Sequence, residues 1–276
     1  MIKDDNSQVI REIVDKTISD FLKRFSDRHV GQLSDPEGVI NSKKNNCFIA
    51  ELGSDFVIYS ALSRSFDSSL GNALETMGRN IAQISYKVFD KIASIFLPEQ
   101  DQHIKNIISR YDKRDVLPQI AHYAMFDAII PKVTDSYREV HYTDNFFFDE
   151  ATDTYYLIEL KAGGDLDNKK AKSEKSELLK EYFMLKNHVV RSENPQRNIK
   201  LFFATAYNKY GEGNEWKQMR VRQYFAEDEL LIGRDYWNFV CKSEDGFDIV
   251  LDQYKKSSEK IRLAISEIES AYNVRN

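Results

Sequence analysis

Residues 155–175 read YYLIELKAGGDLDNKKAKSEK: an apolar and aromatic run, the alternation Glu159-Leu160-Lys161, a double glycine, then a lysine-rich segment. Aromatic and β-branched side chains fit a pleated surface, so residues 155–160 predict a strand. Gly163 and Gly164 predict a tight turn, because glycine reaches backbone angles closed to other residues. The residues from about 168 to 188 predict a helix. Side chains alternate across a strand, so Glu159 and Lys161 share one face and Leu160 takes the other.

Upstream, the aromatic block 145–148 and the turn DEATDT make a hairpin with this strand, and downstream residues 199–206 predict another strand. The section therefore reads β-β-α-β, which implies a sheet with at least one helix-covered face. Helices dominate the first half. Val9, Ile10, Ile13, Val14, Ile18, Phe21, Leu22 and Phe25 repeat at helical spacing over residues 6–27. The stretch SDRHVGQLSDPEGVINSKKN that follows lacks periodicity and reads as a surface loop.

Residues 52–63 predict a helix, and a second runs over 69–97 on Leu70, Leu74, Met77, Ile81, Ile84, Val88, Ile92 and Ile95, with Pro98 as its stop. Further helices are expected over 101–110 and 116–137, a strand over 219–225, and a helix over 252–272. The economical assignment is one α/β domain over residues 1–276. It has a mainly helical portion 1–138, an α/β core 139–225 and a helical portion 226–276.

A chain of 276 residues is long enough to bury a large core without metals or disulfides. Cys47 and Cys241 stand far apart and outside any CxxC pair, which suits a reducing compartment. The N-terminal residues carry no apolar signal core, and apolar runs such as 201–204 are too short for a bilayer. A cytoplasmic protein without a membrane partner is expected.

The net charge of −5 argues mildly against a polyanionic partner, yet residues 183–222 hold eight basic and three acidic side chains. A local basic cleft is thus compatible with an acidic chain. The five histidines lack zinc-ligand spacing, and neither a GxxxxGK[ST] loop nor a GxSxG elbow occurs.

Chemistry concentrates in HYTDNFFFDEATDTYYLIELKAGG. Asp144 precedes the first hairpin strand, and pairing can bring it beside Glu159. With the Leu160 carbonyl, these two carboxylates offer hard oxygen ligands to Mg²⁺. A cation held there would acidify water and polarise a phosphodiester. The Lys161 ammonium could stabilise charge on the nonbridging oxygens, or act as a base were its pKa depressed. An ordinary salt bridge at a strand end is the bland alternative for Glu159 and Lys161.

This section resembles the catalytic core of the PD-(D/E)XK nuclease superfamily, in which an acid precedes a hairpin and E-x-K ends its second strand. Asp144 matches the first acid, with Thr143 where proline is common, and Glu159 and Lys161 match the remaining positions. The word ELKAGGDLDNKKAKSEK also resembles type II restriction endonucleases of the group that cuts GGNCC.

The resemblance implies a restriction-endonuclease-like mixed sheet flanked by helices, with helical N- and C-terminal elaborations. It further implies a homodimer that binds palindromic double-stranded DNA and cuts each strand once with Mg²⁺, for which Mn²⁺ substitutes, leaving 5′ phosphates. A cognate DNA methyltransferase would be the system's other half. The rivals are a repair or junction nuclease of the same superfamily, a noncatalytic DNA-binding protein with this fold, and an acidic interaction module.

Many superfamily members place a further glutamate on a helix before the core, and Glu75 in RSFDSSLGNALETMG matches that element. It would hold a metal-bound water or a second ion, or else be a solvent-facing charge. Arg64 and Arg79 flank it, with phosphate contact and surface salt bridges as equal explanations. Lys169 and Lys172 on the helix after the E-x-K strand are candidates for phosphate contact. Base recognition is expected from Asn208, Lys209, Lys217, Gln218, Arg220 and Arg222 around a glycine-containing loop. Arginine pairs bidentately with guanine, so Arg220 or Arg222 would read a GC-rich site; the bland alternative is that both face solvent or balance Glu227 and Asp228.

Overall fold

A computed structural model describes residues 3–129, 135–191 and 197–275. The chain forms two compact units, residues 1–80 with 248–276, and residues 81–247. None of the helices among the described residues is long and apolar enough to cross a membrane. Cys47 is exposed, Cys241 is buried, and neither is in a disulfide.

The first unit is helical. Helix α1 (Lys3–Gly31) buries Ile10, Val14, Ile18, Phe21, Leu22 and Phe25, the stripe that predicted it. The expected loop after it is largely helical instead. Its first residues extend α1, a 3-10 turn spans Gln32–Ser34, and α2 (Val39–Lys44) and α3 (Cys47–Ala50) follow. Local side-chain bonds account for these short pieces: Asn46 caps α3 by accepting from the Phe48 and Ile49 amides.

The two helices expected over 52–63 and 69–97 begin as one, α4 (Ser54–Ala82), which stops well short of residue 97. At the other end of the chain, α10 (Gly246–Lys256) and α11 (Ser258–Arg275) divide the single expected helix at Ser257. Arg11 with Asp252 (2.5 Å) and Lys260 with Asp15 (2.7 Å) tie these helices to α1.

The second unit holds the sheet: β1 (Lys87–Ile95), β2 (Arg138–Asp149), β3 (Thr154–Lys161), β4 (Asn198–Thr205) and β5 (Leu230–Ile232), in that spatial order. Val88, Ile92 and Ile95, expected on a helix, lie on β1. Their four- and three-residue spacing is helical, and on a strand only Val88 and Ile92 share a face; pairing with β2 overrides that pattern. Pro98 opens α5 (Pro98–Asp112) rather than merely ending a helix, as its fixed φ suits a first helical turn.

The helix expected over 116–137 is reduced to the turn α6 (Ala121–Ala124), with residues 130–134 outside the described set. The strand expected over 219–225 is instead a short helix, α8 (Met219–Arg222). Sequence reading missed β5 and α9 (Arg234–Cys241).

β1, β2 and β3 pair antiparallel, whereas β3, β4 and β5 pair parallel, so the sheet is mixed. The parallel β3–β4 pair needs a crossover, and α7 (Asn168–Arg191) supplies it. Tyr155, Leu157, Leu201 and Phe203 on one face of the sheet share a core with α5 and with Leu178, Leu179, Tyr182 and Phe183 of α7. On the other face Tyr86, Phe147, Tyr156, Phe202 and Phe239 pack ring against ring. The result is a mixed β-sheet core flanked by α-helices, with helical N- and C-terminal elaborations.

Candidate active site at the end of the central strand

Glu159 and Lys161 follow Tyr155 and Leu157 on the α7-facing side of β3, and Leu160 is buried on the other. Gly163 and Gly164 then turn the chain. Gly164 has φ +67°, and a Cβ there would meet Thr205 Cγ2 at 2.6 Å, so both backbone angle and packing require glycine. Asp167 starts the helix as expected of a cap, its Oδ1 accepting from the Lys170 amide at 2.8 Å.

Helical spacing decides what meets Lys161. Ala171, Lys175, Leu178 and Tyr182 form the inward row of α7, and Glu174 stands on it three residues after Ala171 and four before Leu178. The Lys161 ammonium is 3.0 Å from Glu174 Oε1 and in direct contact with Glu159 Oε1. The side chains of Lys161, Glu159 and Glu174 are 32%, 15% and 22% exposed, open enough for a ligand to reach. Burial lowers the lysine's pKa, but the two carboxylates outweigh it and raise the pKa above the usual lysine range. The depressed pKa that a base would need is therefore not what this arrangement produces. Sequence reading missed Glu174, although its inward position on an amphipathic helix marked it as an acid in need of a partner.

Asp144 lies within β2, one residue before the ladder pair Asn145↔Ile158, which makes Glu159 the next position on the facing strand. Its side chain lies outside the described residues. Toward β1 the register passes from Phe89↔Phe146 to Lys91↔Tyr142, so residues 143–145 oppose one residue. Such a bulge re-aims side chains and is frequent beside active sites. Among the described residues, Thr143 Oγ1 and both polar atoms of the Asn145 side chain are buried there without a hydrogen-bond partner. Packing alone does not explain polar residues at such positions.

Among the described residues no group of three or more His, Cys, Asp or Glu is arranged to hold a metal ion. The acids at the strand end offer carboxylate oxygen, a donor chemistry that fits Mg²⁺. Nearby, His141 Nε2 lies 3.2 Å from Glu181 Oε1 of α7. Glu75 is half-buried on α4, in the first unit.

The candidates for DNA contact divide by their bonding. Lys169 is exposed in the first turn of α7, while Lys172 pairs with Asp112 at 2.8 Å. Asn208 is spent on its own loop, donating to the Asn214 carbonyl and accepting from the Tyr210 amide. Gln218 and Lys209 both donate to Asp165 Oδ1, at 2.8 and 2.9 Å, which joins this loop to the turn after Lys161. Arg222 donates to the Trp216 carbonyl and pairs with Glu227. Arg220 and Lys217 are exposed, as is Met219. Arg220 is thus the better placed of the two arginines to meet a ligand.

A mixed sheet with E-x-K at the end of the hairpin's second strand, an acid on the facing strand and a crossover helix behind defines a PD-(D/E)XK-like nuclease. The family model described as "Type II restriction endonuclease, HinfI" matches residues 6–258. The chain belongs to that family. No curated protein and no solved structure was found to match it.

Proposed function

We propose that the protein is a type II site-specific deoxyribonuclease that hydrolyses both strands of DNA at a short palindrome, leaving 5′ phosphates. GGNCC is the first word to test. The observation that carries this reading is the charge balance at the strand end: one ammonium, Lys161, faces two carboxylates, Glu159 and Glu174. A structural ion pair would be neutral. This site keeps a surplus of negative charge beside a cation, which suits a divalent ion and a phosphodiester together.

Asp144, Glu159 and the Leu160 carbonyl are the residues that would hold Mg²⁺, and Mn²⁺ shares their donor preference. Bound there, the ion supplies charge that acidifies water and polarises the phosphate. Lys161 is assigned to the nonbridging oxygens, where charge builds as water attacks phosphorus in line and the P–O3′ bond breaks. Glu174 orients Lys161, and Glu75 is assigned a supporting role from α4.

Arg220 is assigned to base reading, with Lys217, Lys209 and Gln218 beside it and Lys169 on phosphate. Asn208, Lys172 and Arg222 act by shaping that surface. One catalytic set per chain must act twice on a palindrome, so a homodimer is proposed, with a cognate methyltransferase as the system's partner. The deciding experiment incubates the protein with plasmid and Mg²⁺ and sequences the fragment ends. Discrete recurring ends with 5′ phosphates are expected. Smeared ends, or nicks that follow DNA structure, would replace the reading with a repair or junction nuclease.

A further inference from the structure

The first unit carries a groove of its own. On α4, Arg64, Ser65, Ser68, Ser69, Asn72 and Thr76 recur at three- and four-residue steps and form one polar stripe. Arg24 and Arg28 face it from α1, and Lys43 of α2 closes one end. The two lobes, of about 530 and about 300 Å³, join through Arg28 and Ser69.

Four cations line the groove against one acid, Glu37. Among the described residues none of the four forms an ion pair, which removes the surface salt bridge as an explanation for Arg64. Four cations clustered on a chain of net charge −5 create a local positive potential that attracts an anion.

Shape selects the anion. From Arg64 to Thr76 the stripe runs about 18 Å at 1.5 Å per residue. A duplex backbone is a regular row of phosphates, so an elongated cationic stripe can meet more than one of them where a small round site would meet one. Guanidinium, ammonium and short hydroxyl side chains are those that grip phosphate without reading bases.

We propose that this groove is a second, sequence-independent contact for the DNA backbone. The proposal rests on the DNA-cleaving reading above and extends it to the helical unit.

The test measures duplex binding by fluorescence anisotropy, without divalent cation, between about 50 and 200 mM salt. It compares the wild type with the double variant Arg28→Ala/Arg64→Ala, on a duplex carrying the mapped cleavage word and on a scrambled one. Each lost phosphate contact flattens the log–log salt slope by about one. A slope reduced by about two, with about a tenfold loss of affinity at low salt on both duplexes, is expected. Arg28→Lys/Arg64→Lys should restore the slope.

An unchanged slope and affinity, or a loss confined to the mapped word, would overturn the groove while leaving the nuclease reading intact. A wild type that binds no duplex would overturn both. Titration with inorganic phosphate is the second arm: phosphate binding that needs Arg28 and Arg64, with duplex binding unaltered, reassigns the groove to a small anion and also overturns the proposal. The arginines are exposed, and circular dichroism checks folding. If the alanine variant is unfolded, Arg28→Gln/Arg64→Gln gives the same readout.

Discussion

Glu174 and Lys175 are neighbours on α7, yet they close ion pairs of opposite character. Lys175 meets Glu229 at 2.6 Å with both side chains 1% exposed. Glu229 also accepts from the Tyr123 hydroxyl at 2.6 Å and the Ala226 amide at 2.7 Å. The lysine lies over the rings of Tyr123 and Phe225. Every charge in that pair is matched and water is excluded. Glu174 instead shares Lys161 with Glu159 at the open end of β3, where acids outnumber the cation. The same two chemical groups serve architecture when sealed and balanced, and under the proposed function serve chemistry when open and unbalanced.

Removing one partner of a sealed pair strands the other, at about 3–5 kcal/mol. Lys175→Met should therefore give the largest loss of stability in urea denaturation, and Lys175→Met/Glu229→Gln, which removes the stranded charge and keeps an acceptor for Tyr123 and Ala226, should recover much of it. A single variant as stable as wild type would break the comparison from the structural side.

Lys161→Ala and Glu159→Ala should do the reverse. Cleavage falls by about 10²–10³-fold or more, as when one preorganised charge is removed from a reaction centre, while the urea midpoint stays near the wild type. Normal turnover by both would dismantle the site. Glu174→Gln sharpens the contrast, with turnover about tenfold to a hundredfold lower through misplacement of the ammonium. In the Lys161→Ala background the same change should cost nothing further.

A smaller contrast separates Arg220 from Lys169. Arg220→Ala should lose about 1–3 kcal/mol of discrimination at one base pair. Lys169→Ala should weaken cognate and scrambled duplexes alike and flatten the salt slope by about one. Competition binding with singly substituted sites tells the two apart, and equal effects on all sequences would remove Arg220 from base reading.

What was legible in the sequence followed from short-range physics. β3, α7 and β4 emerged within about three residues because alternation and glycine turn agree over residues 155–206. By contrast, β2 begins at Arg138, well before the expected block 145–148, and so holds Asp144 within the strand instead of ahead of it. Glu159 and Lys161 could be placed on one face from parity alone. Glu174 needed the helix phase and the crossover together, since only the parallel pairing of β3 with β4 lays α7 across the strand end. β1 was misread because Val88, Ile92 and Ile95 satisfy a helical spacing, and what settles them is pairing with β2, a contact about fifty residues away in sequence. The pairing of Arg222 with Glu227 was among the alternatives its neighbouring acids offered, whereas its bond to the Trp216 carbonyl was invisible to composition.

The second acid that α7 turns toward the sheet gives the smallest effect and a distinct sign. Glu181 hydrogen-bonds His141 and raises the pKa of the imidazole, with burial opposing and Glu177 adding to the rise. The folded histidine then holds its proton more tightly than the unfolded one, whose pKa is about 6.5. Its contribution to stability is complete below that value and is lost as pH rises through the raised folded pKa. The stability gap between wild type and His141→Gln should be widest in mildly acidic buffer and should close toward pH 8, read as urea midpoints across the range. A gap that stays constant, or widens with rising pH, would mean that the pair acts through packing and not through charge. His141 and Glu181 would then belong with the architectural pair at Lys175, and the polar row of α7 would narrow to Glu174.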